Sequence, residues 1–509
     1  MSTPPLPYGF RVELDPGTKQ LTDGALFGGS PARLMRLTPA GQAALDELRT
    51  APVRSGAAAL LARRLTDAGM AHPVSAVPEE DRAPLDVTVI VPVRDRAQML
   101  ERCLAAAGNQ YPVVVVDDGS AESAAIASVA ARYGAALRRR PVSGGPAAAR
   151  NTGLAGLASD FVAFLDSDCA PPPGWIARLA PHLDDPLVAA VAPRIVTPPA
   201  TTAASRYNQV RGSLDLGEQP ARVLPSSRVA YVPTAALLVR SKALADVARP
   251  AAAANAVRTN AVDSADSRVP ALSYFDPALR YGEDVDLVWR LHEAGWRLRY
   301  EPSVQVPHHG PANWPGLVGR RFRYGTSAAP LARRHPANMA PLVLQPWPAA
   351  TVAGLLARRP VIAAACATAS WLNLTATLRR AGVPADGALP ATLTAVHQTW
   401  LGIGRYVTQF GAPALAIALA SPGGKTALQR WGRRAAAASL LLGPALTSYE
   451  QRRPQLDPFR FAAGHIADDV CYGAGVWTGC GRERTLVPVT PVISRRPVRI
   501  AGQPAEGES

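Results

Sequence analysis

Three short runs of apolar, mostly β-branched residues constrain the fold of this chain more than any other feature. They lie at residues 87–91, 113–116 and 160–165, and each is typical of a strand buried on both faces. Helix candidates at residues 98–107 and 121–134 separate them. Strands that alternate with helices predict right-handed βαβ units around a mostly parallel sheet, which is an α/β fold.

Acidic clusters follow two of these predicted strands. Asp117 and Asp118 begin a D-D-G-S turn, and Asp166 and Asp168 flank Ser167. Ligands of open α/β sheets bind at the carboxyl ends of the strands, so both clusters are candidates for a binding site. Residues i and i+2 of an extended chain point the same way, and two carboxylates there suit Mg²⁺ or Mn²⁺ together with phosphate oxygens. The alternative for the D-D-G-S turn is a helix N-cap.

Two further segments carry candidate functional side chains. The small residues of G-G-P-A-A-A-R-N-T-G, at 144–153, include Gly145 and allow a backbone to approach a phosphate, which Arg150 can neutralise. The alternative is a plain helix start with a surface arginine. Glu283 and Asp284 begin an amphipathic helix, where acids either complement the helix dipole or act as a general base toward an attacking hydroxyl.

A histidine pair follows an apolar, strand-like stretch. His308 or His309 is a candidate third metal ligand, although a histidine in such a position is more often structural. Only one of the two can face the site if the segment is extended.

Five motifs occur together in one order, and together they resemble family 2 inverting glycosyltransferases of the GT-A fold, which is Rossmann-like. They are VIVPVRDR (89–96), VVVVDDGS (113–120), GGPAAARNTG (144–153), FLDSD (164–168) and GEDVDLVWRLHEAGW (282–296). The resemblance covers residues 86–310 and implies a nucleotide-sugar-binding half at 86–200 and an acceptor-binding half at 201–336. The reaction implied is one in-line displacement, in which an acceptor hydroxyl attacks the anomeric carbon and UDP leaves.

The resemblance also implies roles for individual residues. Pro92 and Arg94 correspond to the first nucleotide-contacting strand end, and Asp117 or Asp118 to the acid that binds uracil or ribose. The phosphate-side arginine corresponds to Arg150, within a nucleotide-sugar site that includes Gly145 and Ser167. Asp166 and Asp168 correspond to the residues that hold the divalent metal and the UDP diphosphate, with His308 or His309 beside them. Asp284, next to Glu283, corresponds to the catalytic base.

The layout of the whole chain resembles a narrower family, the pre-mycofactocin glycosyltransferases of actinobacteria. Residues 1–76 resemble small winged-helix domains that bind peptides, and residues 77–85 are typical of a linker. This resemblance implies UDP-glucose as the donor, a peptide-derived mycofactocin precursor as the acceptor and a β-1,4-linked glucose chain as the product. The stretch at 249–273 is longer than is usual in family 2, and the Q-x-x-R-W motif of processive synthases is absent.

Residues 340–480 are rich in Ala and Leu and hold four charge-free stretches, at 360–378, 387–404, 406–424 and 435–449. Polar residues within them make the hydrophobicity marginal for a span of about 20 residues. Three interpretations stay open: a buried helical domain, interfacial helices with arginines on anionic lipid, or spanning helices. We expect peripheral contact with the cytoplasmic face of the membrane, and a disordered tail at 485–509.

The charge and the cysteine content argue against two further classes of function, nucleic-acid binding and zinc or redox chemistry. The formal net charge is +15 but comes almost entirely from arginine, as in GC-rich genomes, so we expect no nucleic-acid partner. Five scattered cysteines without a CxxC pair argue against a zinc or redox motif.

Three further functions compete with transfer of glucose to a peptide-derived acceptor. A nucleotidyltransferase would carry a Gly-rich loop after the first strand, where this chain has VPVRDRAQM at 91–99. A family 2 transferase could instead act on a cell-envelope polysaccharide or a lipid-linked acceptor. A degenerate transferase could serve as a peptide-binding scaffold, although the acids at 166, 168 and 284 argue against the loss of catalysis.

Overall fold

The computed structural model describes residues 3–21, 24–77, 81–250, 272–380, 384–494 and 500–501. The long stretch at 249–273 lies outside the described residues, except for its two ends. These ends pair as short antiparallel strands, Arg249–Pro250 with Leu272–Ser273.

The first unit consists of two helices beside short strands. Its strands are β1 (Phe10–Leu14), β2 (Lys19–Gln20), β3 (Ala25–Gly28), β4 (Arg33–Arg36) and β5 (Ala71–Ser75), and its helices are α1 (Pro39–Thr50) and α2 (Gly56–Asp67). Thr38 caps α1 by accepting a hydrogen bond from the Gly41 amide, and Ser55 caps α2 in the same way. Leu45 and Leu65 are buried where the helices meet, and they form the core of this unit.

An eight-stranded sheet forms the centre of the molecule and confirms the predicted α/β fold. Its order is β11-β15-β10-β12-β9-β6-β7-β8. The elements from β6 onward are β6 (Val87–Val93), α3 (Ala97–Ala107), β7 (Val113–Asp118), α4 (Ser123–Arg132), β8 (Ala136–Arg140), α5 (Pro146–Leu154), β9 (Phe161–Leu165), α6 (Trp175–Leu179), β10 (Val188–Val196), α7 (Ala203–Arg211), β11 (Ala221–Val223), β12 (Ala236–Arg240), α8 (Ser241–Asp246), β13 (Arg249–Pro250), β14 (Leu272–Ser273), α9 (Glu283–Glu293) and β15 (Arg297–Pro307). β9, β6, β7 and β8 run parallel, whereas β12 runs antiparallel to β9 and β10.

The apolar runs of the sequence become the central strands because both of their faces are covered. Ile90 and Phe164 pack into the core on one face of the sheet, while Val89 and Leu165 pack into the core on the other. Side chains that alternate between two buried faces explain why these strands appear in the sequence as continuous apolar runs. β6, β7 and β9 therefore end side by side, and their carboxyl ends define the edge that carries the site.

After β15 the chain is mainly helical, and several of the helices lie beside the carboxyl ends of the central strands. The helices are α10 (Trp314–Thr326), α11 (Ala328–Arg334), α12 (Pro346–Leu356), α13 (Pro360–Arg380), α14 (Ala388–Phe410), α15 (Ala412–Ala420), α16 (Ala427–Arg452) and α17 (Pro458–Glu483), with short strands β16 (Val343–Leu344), β17 (Val492–Ile493) and β18 (Ile500–Ala501). α17 packs against α10, α14 and α16. Of the described helices, α13 alone is long and apolar enough to cross a membrane.

The expected disordered tail is wrong for residues 485–494. Residues 487–489 form a helical turn, and β17 pairs with β16 in parallel. The physical reason is burial, since Val489 packs against Ala328 and Val476 in a small apolar core. Further on, β18 pairs with β4 of the first unit.

Candidate active site

A cleft of about 1610 Å³ lies at the carboxyl ends of β6, β7 and β9. Residues of α9, α10, α14 and α17 form its other walls. Pockets for one small ligand usually measure about 300–1,000 Å³, so this cleft has room for two substrates at once. Most of the predicted site residues line it: Pro92, Arg94, Asp118, Gly145, Arg150, Asp166, Ser167, Asp168, Glu283, Asp284 and His308.

Arg150 joins the two acidic groups of the cleft. One Nη donates to Glu283 Oε1 at 2.7 Å and the other to Asp166 Oδ1 at 2.8 Å, while the guanidinium lies over the Phe275 ring. The side chain is 3% exposed, so the alternative of a surface arginine is wrong. Burial alone would lower the pKa of Arg150, but the charges of Asp166, Glu283 and Asp284 raise it above its usual value. The arginine is therefore a fixed cation between the sheet edge and α9.

Asp166 and Asp168 face the cleft in different environments. Burial, then the nearby charge of Asp168, raises the pKa of Asp166 despite Arg150. Burial also acts to raise the pKa of Asp168, but the hydrogen bond and charge of His308 outweigh it and hold that pKa below its usual value. Arg96 donates to the second oxygen of Asp168 at 3.3 Å.

His308 Nε2 lies 3.3 Å from Asp168 Oδ1. Two ligands about 2.1 Å from one octahedral ion, at a right angle, stand about 3.0 Å apart, so this pair has nearly the spacing of two ligands. Among the described residues no three acidic, histidine or cysteine side chains converge on one point, since Asp166 is turned toward Arg150. His309 does not line the cleft, and its backbone amide donates to the Asp168 carbonyl at 2.9 Å. Of the histidine pair, His308 is thus the one whose side chain reaches the site.

Glu283 and Asp284 form the first turn of α9, behind Gly282. The glycine has φ +80°, a left-handed conformation that brings the chain sharply into the helix. Asp284 Oδ1 accepts a hydrogen bond from the Val285 amide at 2.8 Å. Burial, and then the charge of Asp284, raises the pKa of Glu283 to about 7, and burial also raises the pKa of Asp284. A carboxyl group in a cleft whose pKa is raised toward neutral pH is a candidate general acid or base.

Asp118 holds a loop in place. It accepts hydrogen bonds from Arg140 Nε at 2.7 Å, Ser143 Oγ at 2.7 Å and the Gly145 amide at 2.8 Å. Asp118 therefore has a structural role, because its oxygens hold the loop that contains Gly145 at the edge of the cleft.

Asp117 is fully buried and does not line the cleft. Its Oδ1 accepts from the Ser120 amide at 2.9 Å, while its Oδ2 makes no hydrogen bond to the described residues.

The structure adds side chains, beside the cleft and in it, that sequence reasoning missed. Asn151, next to Arg150, does not line the cleft, but it accepts hydrogen bonds from the amides of Tyr274 and Phe275 and donates to the Phe275 carbonyl at 2.7 Å. Its adjacency to the arginine was the available signal. The cleft also has an aromatic and polar wall for which the sequence carries no local signal, formed by Tyr231, Tyr281, Tyr324, Arg405, Gln409 and Tyr472.

The comparisons with known sequences find glycosyltransferases. The family model described as glycosyl transferase family 2 matches residues 88–244. The pre-mycofactocin glycosyltransferase of Mycobacterium tuberculosis is 38% identical over 97% of this chain and 100% of its own length. Glycosyltransferase AglE of Haloferax volcanii is 32% identical over 24% of this chain and 44% of its own length. A solved structure, the mannosyltransferase PcManGT from Pyrobaculum calidifontis with GDP-Man and Mn²⁺, aligns with a TM-score of 0.40 and 19% identity over 76% of this chain and 87% of its own.

Proposed function

Since this chain belongs to glycosyl transferase family 2, alongside the mycobacterial pre-mycofactocin glycosyltransferases, we propose that it moves glucose from UDP-glucose to pre-mycofactocin. The product is a β-1,4-linked glucose chain on this peptide-derived redox cofactor precursor. The assignment of the acceptor is supported by the mycobacterial relative that matches 97% of this chain, which is named for transfer to pre-mycofactocin. The observation that carries the chemistry is Arg150, which ties the strand-end acid Asp166 to the helix acid Glu283 in one cleft.

The reaction is an in-line displacement with inversion. The acceptor hydroxyl oxygen forms the new bond to the anomeric carbon while the bond from that carbon to the diphosphate oxygen breaks, and UDP leaves with the electron pair. Asp284 takes the proton of the attacking hydroxyl, because its pKa is raised and it lines the cleft. Arg150 provides positive charge beside the leaving diphosphate.

A divalent cation, Mn²⁺ or Mg²⁺, completes the site in this proposal. Asp168 and His308 would hold it, because they have nearly the spacing of two ligands. Asp166 would join them only by turning away from Arg150, with which it is paired at 2.8 Å. When bound, such an ion offsets the charge that develops on the leaving diphosphate.

The test of this function is UDP release by the purified protein with Mn²⁺ or Mg²⁺. UDP-glucose is compared with UDP-galactose, UDP-N-acetylglucosamine and GDP-mannose, with pre-mycofactocin present or absent. Precursor-dependent release from UDP-glucose is the expected result. Turnover of a different donor would contradict the sugar assignment, whereas transfer only to a lipid-linked acceptor would contradict pre-mycofactocin.

We also propose that the helical region rests on the cytoplasmic face of the membrane without crossing it. α13 exposes apolar side chains, with Val361 81% and Ile362 54% exposed, and arginine pairs lie just before the helix at 358–359 and in its last turn at 379–380. Apolar side chains between arginines suit the surface of an anionic bilayer.

Vesicle sedimentation tests this contact. The protein should sediment with phosphatidylglycerol vesicles more than with phosphatidylcholine vesicles, and Val361→Glu should reduce the bound fraction. Leu60→Glu is the matched control, because Leu60 is 51% exposed on α2 of the first unit. Equal sedimentation of Val361→Glu and wild type would contradict the proposal.

Peptide binding by residues 1–76 stays a prediction. No described residue of the first unit lines the cleft, so a peptide held there would be bound apart from the reacting groups. Titration of the full chain with a precursor peptide, read by fluorescence anisotropy, tests it, and a flat titration would contradict it.

A further inference from the structure

The wall of the cleft that faces Asp284 is built from side chains distant in sequence. Tyr281 and Tyr324 pack edge to face, with ring centroids 6.1 Å apart. Burial, then the negative charge of Asp284 and the phenols of Tyr472 and Tyr324, raises the pKa of Tyr231. Four tyrosines, including Tyr472 of α17, therefore line this part of the cleft.

Close helix packing fixes this wall to the catalytic domain. A Cβ at Gly475 of α17 would collide with the Phe322 carbonyl of α10, and one at Gly479 would lie 2.7 Å from the Thr326 carbonyl. A Cβ at Gly325 of α10 would likewise collide with the Tyr472 carbonyl. Glycines on both helices thus permit a close approach of their backbones. α17 is in this way a structural part of the cleft and holds Tyr472 against it.

A buried acid on the same helix, α17, positions an arginine at the end of the wall. Asp469 is 2% exposed and accepts hydrogen bonds from Arg405 Nε at 3.2 Å and Gln409 Nε2 at 2.9 Å. Arg405 and Gln409 both line the cleft, and the Arg405 side chain is 53% exposed. The two Nη groups of Arg405 make no hydrogen bond to the described residues. The Nη donors of Arg405, a planar fork, therefore point into the cleft unpaired by any described residue, while its Nε is held by Asp469.

We propose that Arg405 binds a carboxylate or carbonyl oxygen of the acceptor through these Nη groups, while the tyrosine rings pack against the acceptor's ring. A guanidinium presents parallel N–H donors that match such oxygens in geometry and charge. Asp469 is the positioning residue that aims the fork. α14 and α17 are then the acceptor-specificity elements of the enzyme, and the inference rests on the transferase activity proposed above.

Steady-state kinetics with UDP-glucose and pre-mycofactocin test the proposal on the full chain. Arg405→Gln should raise the KM for the acceptor by about 10- to 100-fold, the usual effect of losing a charged hydrogen bond, with the KM for UDP-glucose unchanged. Arg405→Lys, which keeps the charge but loses the fork, should give an intermediate KM. The matched control is Arg482→Gln, because Arg482 is exposed on α17 outside the cleft.

The positioning role of Asp469 has its own readout. Asp469→Asn should raise the acceptor KM in the wild-type chain and add nothing in the Arg405→Gln background. An additive effect would show that Asp469 acts through general stability and would overturn its role.

The outcomes separate this inference from the proposed function. Absence of transfer by the wild-type protein contradicts the proposed function and, with it, the inference. Wild-type transfer with an unchanged acceptor KM in Arg405→Gln overturns the inference alone. A parallel rise in the UDP-glucose KM would place Arg405 on the donor and also overturn it.

Discussion

Single residues set the charge of the cleft, where buried acids share one guanidinium. Arg150 contacts Glu283 and Asp166 directly and influences Asp284. Removing one partner of such a buried cluster leaves charges uncompensated, which makes each member more important than an exposed ion pair. In the proposed mechanism Asp284 alone takes the proton of the attacking hydroxyl, so its role can be tested separately from those of Asp166 and Glu283.

Replacing Asp284 by Asn should abolish the proton acceptor while leaving the volume of the side chain unchanged. We expect kcat to fall by about 10²–10⁴-fold, the usual contribution of a general base, with UDP affinity unchanged. Kinetics and UDP titration calorimetry measure the two effects. Asp246→Asn, an exposed acid on α8, is the control. Equal loss of UDP affinity and kcat would argue that Asp284 binds the donor.

The pH dependence should reflect the raised pKa values of the Glu283–Asp284 pair. The base must be deprotonated to accept a proton, so kcat/KM should fall as the pH falls through the raised pKa. Since burial raises the pKa of both acids, and that of Glu283 to about 7, the acid limb should lie above the usual range of carboxylates. A limb at the ordinary pKa of an aspartate would contradict this environment. A pH series of kcat/KM for the acceptor provides the measurement.

Metal removal should stop transfer if Asp168 and His308 hold a cation, with Asp166 beside them. Chelation with EDTA should abolish UDP release, and added Mn²⁺ or Mg²⁺ should restore it. Asp168→Asn and His308→Ala should each weaken Mn²⁺ binding, which the loss of the free Mn²⁺ paramagnetic resonance signal measures without reference to activity. His309→Ala is the matched control, since its side chain does not line the cleft. Full activity in EDTA would contradict the site.

At the scale of elements, helix α17 stabilises the cleft through its glycines. Gly475→Ala would push a methyl group into the Phe322 carbonyl, and overpacking of this kind costs about 1–3 kcal/mol or more. Gly481→Ala on the same helix meets no atom within 4 Å and should stabilise the protein by about 0.5–1 kcal/mol. Urea denaturation distinguishes the two, and equal shifts would contradict the packing argument.

The elements also differ in how far the sequence predicts them. β6, β7 and β9 were predictable because two buried faces leave a local record of apolar residues, and the acids that follow them were visible for the same reason. Asp118 is different, since its partners Arg140 and Gly145 are brought to it only by the fold. The wall of α14 and α17 was beyond prediction, because glycine contacts between helices leave no periodic apolar signal. The sequence therefore predicts the strand-end edge of the cleft better than the wall formed by α14 and α17.

At the scale of the whole molecule, buried ion pairs attach the first unit to the sheet domain, apart from the cleft. Arg63 of α2 donates to both oxygens of Asp185 at 2.7 and 2.9 Å, and their side chains are 5% and 2% exposed. Asp67 at the end of α2 also accepts from Arg297 of β15 at 2.8 Å. These contacts make the first unit a fixed neighbour of the sheet domain.

Arg63→Leu should therefore cost about 3–5 kcal/mol of unfolding free energy, because it leaves Asp185 buried without its cation. Arg49→Leu is the matched control, since the Arg49–Asp46 pair is exposed and worth less than about 1 kcal/mol. kcat of the folded protein should be unchanged in both, as no described residue of the first unit lines the cleft. Urea denaturation and steady-state kinetics give the two readouts. A loss of kcat in Arg63→Leu without a loss of stability would mean that the first unit acts on the reacting groups through the sheet.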